Sequence, residues 1–153
     1  MVCHLMETTL YCYSLSTKEF LKINLNTFEV QTNKILSEIG SREIIQRIFS
    51  WKNRLFLICL NPRRIEDIKV LLFEVCESDE NGENITIKKH GIITRFYEVS
   101  IINEISEKIQ KPVHLKGFDN NRVFIPLNDG SDSFIGAIYD LQKMEKIENF
   151  EIY

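Results

Sequence analysis

The amino-acid sequence predicts a mainly β fold of antiparallel meanders, with one amphipathic helix near residues 100–111; a compact α+β domain is the alternative. Three observations favour the meanders. The phrase "NRLFLICLN" at residues 53–61 returns in similar form as "NRVFIPLND" at residues 121–129. Each phrase is followed by a second apolar run that ends in an aromatic, an acidic and an aliphatic residue. Turn-forming residues bound these apolar runs, as is typical of β-strands in hairpins.

Three meanders are expected within one domain that spans residues 1–153, over about residues 9–31, 54–89 and 122–152. Ile23, Phe73 and Tyr139 occupy equivalent positions in the second strand of each meander. A short strand that begins at Val113 is expected to enter the third meander. The residues expected to include the core are Leu55, Phe56, Leu72, Phe73, Val123, Phe124, Ile138 and Tyr139.

The two connectors, about residues 32–49 and 99–111, are predicted to be helical. In the first, a short helix would use Ile35, Leu36 and Ile39, whereas "EIIQRIFSW" at residues 43–51 fits a helix or a strand. The second holds the amphipathic helix, which would begin after Ser100 as N-cap and end before Pro112. Its apolar stripe at helical spacing is Ile101, Ile102, Ile105 and Ile109.

The arrangement of the repeats resembles the blades of β-propellers of the Kelch-like and F-box-associated type. The resemblance covers roughly residues 9–152 and rests on the apolar hairpin and on the ending "FEV" or "YDL" of its second strand. The double glycine of Kelch blades is replaced by Cys59-Leu60 and Pro126-Leu127. The resemblance therefore implies an incomplete or degenerate propeller-like fold and assigns no functional residue.

Composition narrows the class of function. The net charge is −3, which disfavours a general nucleic-acid coat but allows a local basic patch. The four cysteines fit no zinc pattern, and reduced thiols favour a cytoplasmic protein. We expect no metal ion, no cofactor and no membrane span. Nucleophile elbows, phosphate-binding glycine loops and metalloprotease motifs do not occur in the sequence, which disfavours an enzyme.

Basic residues predicted in loops or at strand ends form the candidate binding site: Arg63, Arg64, Lys88, Lys89 and Arg95. Such side chains beside aromatic residues can contact RNA phosphates and bases. Arg54 and Arg122 occupy matching places in the repeat, which favours a structural pairing with the acidic residues Glu74 and Asp140. Trp51 is expected to pack in the core.

The leading hypothesis is a non-catalytic binding or assembly protein that holds a protein partner through sheet edges and loops. Too few meanders are present to close a propeller of four or more blades, and open sheet edges favour a partner. The alternative hypothesis is a factor associated with the ribosome or another ribonucleoprotein, which would contact ribosomal RNA through the basic loops. An enzyme with an unrecognised site is the third possibility.

Overall fold

The structure is a computed structural model, and it describes residues 1–14, 16–34, 43–64, 67–77, 85–96, 113–114, 121–127 and 134–152. All regular secondary structure among these residues is β-strand, so the mainly β class is confirmed. In chain order the strands are β1 (Val2–Met6), β2 (Thr9–Ser14), β3 (Glu19–Asn24), β4 (Val30–Lys34), β5 (Ile44–Trp51), β6 (Arg54–Arg64), β7 (Asp67–Glu77), β8 (Ile85–Phe96), β9 (Val113–His114), β10 (Arg122–Leu127), β11 (Phe134–Asp140) and β12 (Glu145–Ile152).

Within the described part of the chain, the strands form three four-stranded sheets in which neighbours in sequence are neighbours in space. Strands β1–β4 form the first sheet, β5–β8 the central sheet and β9–β12 the third sheet. The paired strands of the first and third sheets are antiparallel. Each predicted meander is therefore present, and one further strand precedes it in the same sheet.

The prediction of a helical connector over residues 32–49 is wrong at both of its ends. β4 continues to Lys34, and Ile44–Trp51 form a strand of the central sheet. The β5 run is rich in β-branched and aromatic residues, which favour strands. Its backbone hydrogen bonds are made with β6, a pairing that the periodicity of so short a run does not reveal. The centre of this connector and the helix predicted at residues 99–111 lie outside the described residues.

The turns that follow β3 and β11 have the same construction. Asn24 Oδ1 accepts hydrogen bonds from the backbone N–H groups two and three residues later, at 2.9 and 3.2 Å. Asp140 Oδ1 accepts the equivalent two bonds at 2.9 and 3.0 Å. Four residues after each cap comes a residue in the left-handed region, Phe28 with φ 58° and Met144 with φ 54°. The alignment of the first and third meanders in sequence is thus matched by their turns.

The chain divides into two compact units, and each includes part of the central sheet. The first unit comprises Met1–Cys59 and Leu72–His90, and the second comprises Leu60–Leu71 and Gly91–Tyr153. In the first unit, each residue of Leu55–Cys59 is at most 4% exposed. Because successive strand side chains point to opposite faces, both faces of β6 are covered along this stretch.

The predicted core is confirmed for most of its members. The buried ones are Leu55, Phe56, Leu72, Phe73, Val123 and Tyr139. Phe124 and Ile138 are half-buried. They lie opposite each other on β10 and β11, one position from the buried pair of Val123 and Tyr139, so strand alternation turns them to the other face.

Gly136 in β11 leaves room for the ring of Phe124 in β10. A Cβ atom on Gly136 would lie 2.2 Å from Phe124 Cε2, far inside van der Waals contact. The register places Phe124 opposite Ile138, and therefore diagonal to Gly136. A glycine at this strand position is typical of such a close approach, because any side chain would displace the aromatic ring.

Candidate functional site

One face of the first sheet packs against the central sheet within the first unit. His4, Tyr11 and Lys22 lie opposite one another on β1, β2 and β3, and so share this face. His4 Nε2 lies 2.8 Å from Ser50 Oγ. The Tyr11 hydroxyl donates to Glu77 Oε1 at 3.4 Å, and Lys22 forms a salt bridge with the same carboxylate. We call this the inner face.

A small cleft lies between the inner face and the central sheet. Its lining residues are Met6, Tyr11, Asn53, Leu55, Val75 and Glu77. Its volume is about 200 Å³, below the roughly 300–1,000 Å³ of typical ligand pockets. Burial above all, together with the charge of Glu77, raises the pKa of Tyr11 to about 12, so the Tyr11 hydroxyl keeps its proton. The cleft is too small for a drug-sized ligand.

The opposite, outer face of the first sheet carries a row of apolar side chains. Leu5, Leu10, Ile23 and Val30 lie opposite one another across the four strands, and we call them the outer apolar row. Leu5 is 55% and Val30 is 56% exposed, while Leu10 and Ile23 are half-buried. Phe28 in the adjoining turn is 76% exposed. Contiguous exposed apolar surface of this kind is typical of interaction sites.

The equivalents of the two central residues of this row are buried in the other two sheets. The residues that correspond to Leu10 and Ile23 are Leu55 and Phe73 in the central sheet, and Val123 and Tyr139 in the third sheet. All four are at most 4% exposed. The outer apolar row therefore has the composition of a covered row, but its end members on β1 and β4 are more than half exposed.

In the central sheet, the equivalent face is covered by the inner face of the first sheet. Leu55 lines the cleft together with Met6 and Tyr11. Phe73 and Glu77 share one face of β7 because they are four residues apart in a strand, and Glu77 bonds to Tyr11. The inner face of the first sheet thus packs against the central sheet, on the face of the central sheet that corresponds to the outer face of the first. A further sheet stacked in the same way would cover the outer apolar row.

The edge strand β4 of the first sheet is also less protected against the addition of another strand than the edge strand β12 of the third sheet. β4 is an edge strand with the sequence "VQTNK", which has no proline and one charge at its end. Its counterpart β12 is an edge strand that begins with Glu145 and Lys146, both exposed. Charged residues on an edge strand discourage the addition of another strand. β4 is therefore the more suitable of these two edges for strand addition.

Glu74 takes the place of the Asn24 and Asp140 caps in the central sheet, and it joins side chains of three strands. Arg54 Nε and Nη2 donate to the two carboxylate oxygens of Glu74, each at 2.7 Å. His90 Nε2 lies 2.8 Å from Glu74 Oε1. The hydrogen bonds from Arg54, and then those from His90, hold the pKa of Glu74 below its ordinary value against the effect of burial. The structural pairing predicted for Arg54 is confirmed.

Two other predictions from the repeat concern Trp51 and Arg122. Trp51 is 9% exposed and ends β5 before a turn in which Lys52 and Asn53 have φ of 46° and 60°. Its predicted packing in the core is confirmed, and Lys52 Nζ lies 4.8 Å from the ring centroid. Arg122 lies opposite Asp140 in the β10–β11 register, and an ion pair between them stays a prediction.

The five predicted binding residues, which were expected in loops or at strand ends, all lie in strands. Arg63 and Arg64 end β6, and Lys88, Lys89 and Arg95 lie within β8. Lys88 and Lys89 are exposed, but as strand neighbours they point to opposite faces. β7 separates β6 from β8, so the two groups are not on adjacent strands. The arginines belong to the second unit and the lysines to the first.

The outer apolar row escaped the sequence-based search for binding residues. The sequence did contain a signal for this row, since β2 and β3 each have apolar residues on both faces of the strand. A strand that is covered on only one face typically alternates between apolar and polar residues. Apolar residues on both faces of a terminal sheet therefore indicate a second covering surface.

Comparison with models of known protein families gave no match, and a search among curated proteins gave no significant match. In the part of the chain that the structure describes, no helix has the length and apolar character needed to cross a membrane.

Proposed function

We propose that this protein is a non-catalytic binding subunit that holds a protein partner on the outer face and edge strands of its first sheet. The observation that carries the proposal is the outer apolar row, because the residues that correspond to its two central members are buried in the other two sheets. Removing apolar surface from water is favourable by about 25 cal/mol per Å². A partner that covers this row gains that free energy at a surface already ordered by four strands.

The partner is a protein with an apolar β-sheet face or an extended strand. The supporting observation is the way in which the first sheet covers the central sheet inside the first unit. Among the described residues each sheet has four strands, as propeller blades do, and closed propellers typically contain at least four blades. The partner supplies the next sheet of such a stack, or adds a strand along β4 by β-augmentation.

The absence of charge in the outer apolar row and in the row beside it favours a protein over RNA at this face. The second row consists of Cys3, Cys12, Leu21 and Thr32. Neither row contains a basic residue that could neutralise a phosphate, and phosphate contacts supply most of the affinity for nucleic acid. An RNA-binding surface would have to lie elsewhere, on residues such as Arg63 and Arg64.

A cytoplasmic location is part of the proposal. All four cysteines are free thiols, and Cys3 is exposed. Stable disulfides are rare in the reducing cytosol, so free thiols are compatible with that compartment.

The proposal is tested by affinity capture from the cells in which the chain naturally occurs. Leu5→Asp combined with Val30→Asp places two charges on the outer apolar row while leaving the buried inner face intact. We expect the partner recovered with the wild-type chain to be lost with this variant, because burying an unpaired charge is costly. The matched control is Ile147→Asp, which charges a side chain that is 40% exposed on β12 and should leave recovery unchanged.

Circular dichroism and thermal unfolding of each variant separate loss of binding from loss of folding. Recovery of the same partner by the wild-type chain and the double aspartate variant would refute the proposal. Partner recovery that is abolished by nuclease, or by Arg63→Ala combined with Arg64→Ala, would instead support the ribonucleoprotein alternative.

A further inference from the structure

Cys3 and Cys12 face each other on the outer face of the first sheet. The register pairs Cys3 in β1 directly with Cys12 in β2. Neither thiol is part of a disulfide. Cys3 is exposed, whereas Cys12 is 2% exposed. The pair thus combines one thiol that solutes can reach with a second thiol held beside it.

The backbone at this pair suits a disulfide. Met6 and Thr9 flank the two-residue turn between β1 and β2, and such a flanking pair exchanges both backbone hydrogen bonds. Paired residues then alternate along the hairpin, so Cys3 and Cys12 form a non-hydrogen-bonded pair. The Cα atoms of such pairs are about 4.5 Å apart, which is inside the range of roughly 4.4–6.8 Å that disulfides span.

We propose that Cys3 and Cys12 form a reversible cross-strand disulfide when the protein meets a peroxide, and that this bond locks the edge strand β1 onto β2. The inference goes beyond the proposed binding function and does not depend on it. Cytosolic disulfides, where they occur, are mostly transient and redox-sensing, which fits a pair that is free in the resting protein.

The reaction proceeds in two steps. The Cys3 thiolate attacks one oxygen of hydrogen peroxide, an S–O bond forms, the O–O bond breaks, and hydroxide leaves and takes up a proton as water. The Cys12 sulfur then attacks Cys3 Sγ, an S–S bond forms, the S–O bond breaks, and the second hydroxide takes the Cys12 proton as water. Two thiols lose two electrons and two protons, and one peroxide becomes two water molecules.

Cys12 limits the rate of the second step. Burial above all, and then the hydrogen bond to Cys3, raises the pKa of Cys12 to about 12. Cys12 is therefore protonated at neutral pH, and only its thiolate is a strong nucleophile. Below that pKa the thiolate fraction rises about tenfold per pH unit, so disulfide formation should accelerate as the pH is raised.

The bond would change the dynamics of an edge of the sheet. β1 is an edge strand, held to the rest of the first sheet by β2 alone. The disulfide would lie three residue pairs from the Met6–Thr9 pair that flanks the turn. It would keep the part of β1 between Cys3 and the turn from separating from β2. Amide hydrogen exchange over β1 should then slow by about tenfold, because exchange of edge amides requires local opening.

The test is to treat the purified full chain with hydrogen peroxide, digest it without reduction, and identify linked peptides by mass spectrometry. We expect one peptide pair, joined through Cys3 and Cys12, in monomeric protein that has lost two hydrogen atoms. Thioredoxin or dithiothreitol should reverse the change. Exchange over Val2–Met6 should be slower in the oxidised form than in the reduced form.

Matched variants make the result specific. Cys3→Ser should abolish the linked peptide, and Cys12→Ser should leave Cys3 to accumulate as sulfenic and then sulfinic acid. Cys12→Ala replaces Cys12→Ser if the buried hydroxyl prevents folding. Cys76→Ser should leave the Cys3–Cys12 bond unchanged, since Cys76 lies on β7 of the central sheet.

Four results would overturn the inference. They are wild-type Cys3 that proceeds to sulfinic acid without a disulfide, no oxidation of Cys3, a disulfide between two chains instead of within one, and equal exchange over β1 in the two redox forms.

Discussion

The first and third sheets have the same strand pairing beside the turn that follows β3 and β11, yet they differ in what covers them. Ile23 pairs with Val30 in the first sheet just as Tyr139 pairs with Lys146 in the third. Tyr139 is 3% exposed, whereas Ile23 is half-buried. Because the strands pair alike at these positions beside the turn, we attribute the difference in exposure to the surroundings of each row. The first sheet thus presents an apolar row of the kind that is buried elsewhere in the chain.

The two rows also differ in the residue that each places on its edge strand, β4 in the first sheet and β12 in the third. Val30 is 56% exposed at the edge of the first sheet, and its counterpart Lys146 is an exposed charge. A lysine at an edge keeps other strands away, whereas an exposed valine favours contact. The charge of the lysine favours contact with water, whereas the exposed valine belongs to the surface that the proposed partner would cover.

The largest expected effect is on the free energy of unfolding, and it should differ between the buried row of the third sheet and the outer apolar row of the first. Tyr139→Ala should lower the free energy of unfolding by about 3–5 kcal/mol, because it removes a buried aromatic side chain. Ile23→Ala should cost less, about 1 kcal/mol, since that side chain is only half-buried. Urea unfolding of the isolated protein measures both values. Equal costs would contradict the claim that only the first row is uncovered.

A smaller effect is expected at Glu74, which in the central sheet takes the place of the caps Asn24 and Asp140 of the other two sheets. Glu74→Gln should cost about 1–3 kcal/mol, because the amide weakens the charge-assisted bonds from Arg54 and His90. The pKa of Glu74 is held below 4.5, so its contribution is present above the unfolded pKa and is lost as the pH falls through the folded pKa. The difference between wild type and variant should therefore be constant near neutral pH and shrink below about pH 4.5.

Glu145→Gln is the control for this measurement, since Glu145 is exposed on β12. It should change unfolding little at any pH. A Glu74→Gln difference that grows on acidification would contradict the assignment of Glu74 as a carboxylate bonded in its ionised form.

The smallest expected effect tests the likeness of the two turns. Asn24→Ala and Asp140→Ala each remove a side chain that accepts two backbone hydrogen bonds. Each should lower the free energy of unfolding by about 1 kcal/mol. A cost at Asp140 several times that at Asn24 would indicate that the charge has a second partner, such as Arg122.

The strands were predictable from the sequence because their apolar runs end at turn residues. The alignment of Ile23, Phe73 and Tyr139 gave the correct strand pairs for that reason. Strand β5 was ambiguous, since a short apolar run fits a helix and a strand equally well. Strand β1 was missed because the Glu7-Thr8 turn that follows it lacks the glycine, asparagine or proline that marks most turns.

The functional surface was less predictable, for two physical reasons. Pro62 and its polar neighbours suggested a loop, because proline cannot donate to a ladder, but β6 continues through Pro62 to Arg64. Moreover, alternation identifies the apolar residues of a strand but does not reveal which face lacks a neighbour, and the exposure of Leu5 and Val30 depends on that.

Site-specific photocrosslinking tests the central claim most directly. A photoreactive amino acid is placed at Thr32, which is exposed on β4, or at Lys146 on β12, and the chain is irradiated in its own cells. The proposed binding function predicts a cross-link to a protein from position 32, absent from position 146 and lost when Leu5→Asp and Val30→Asp are added. Cross-links of equal yield from both positions, or none from position 32, would contradict it.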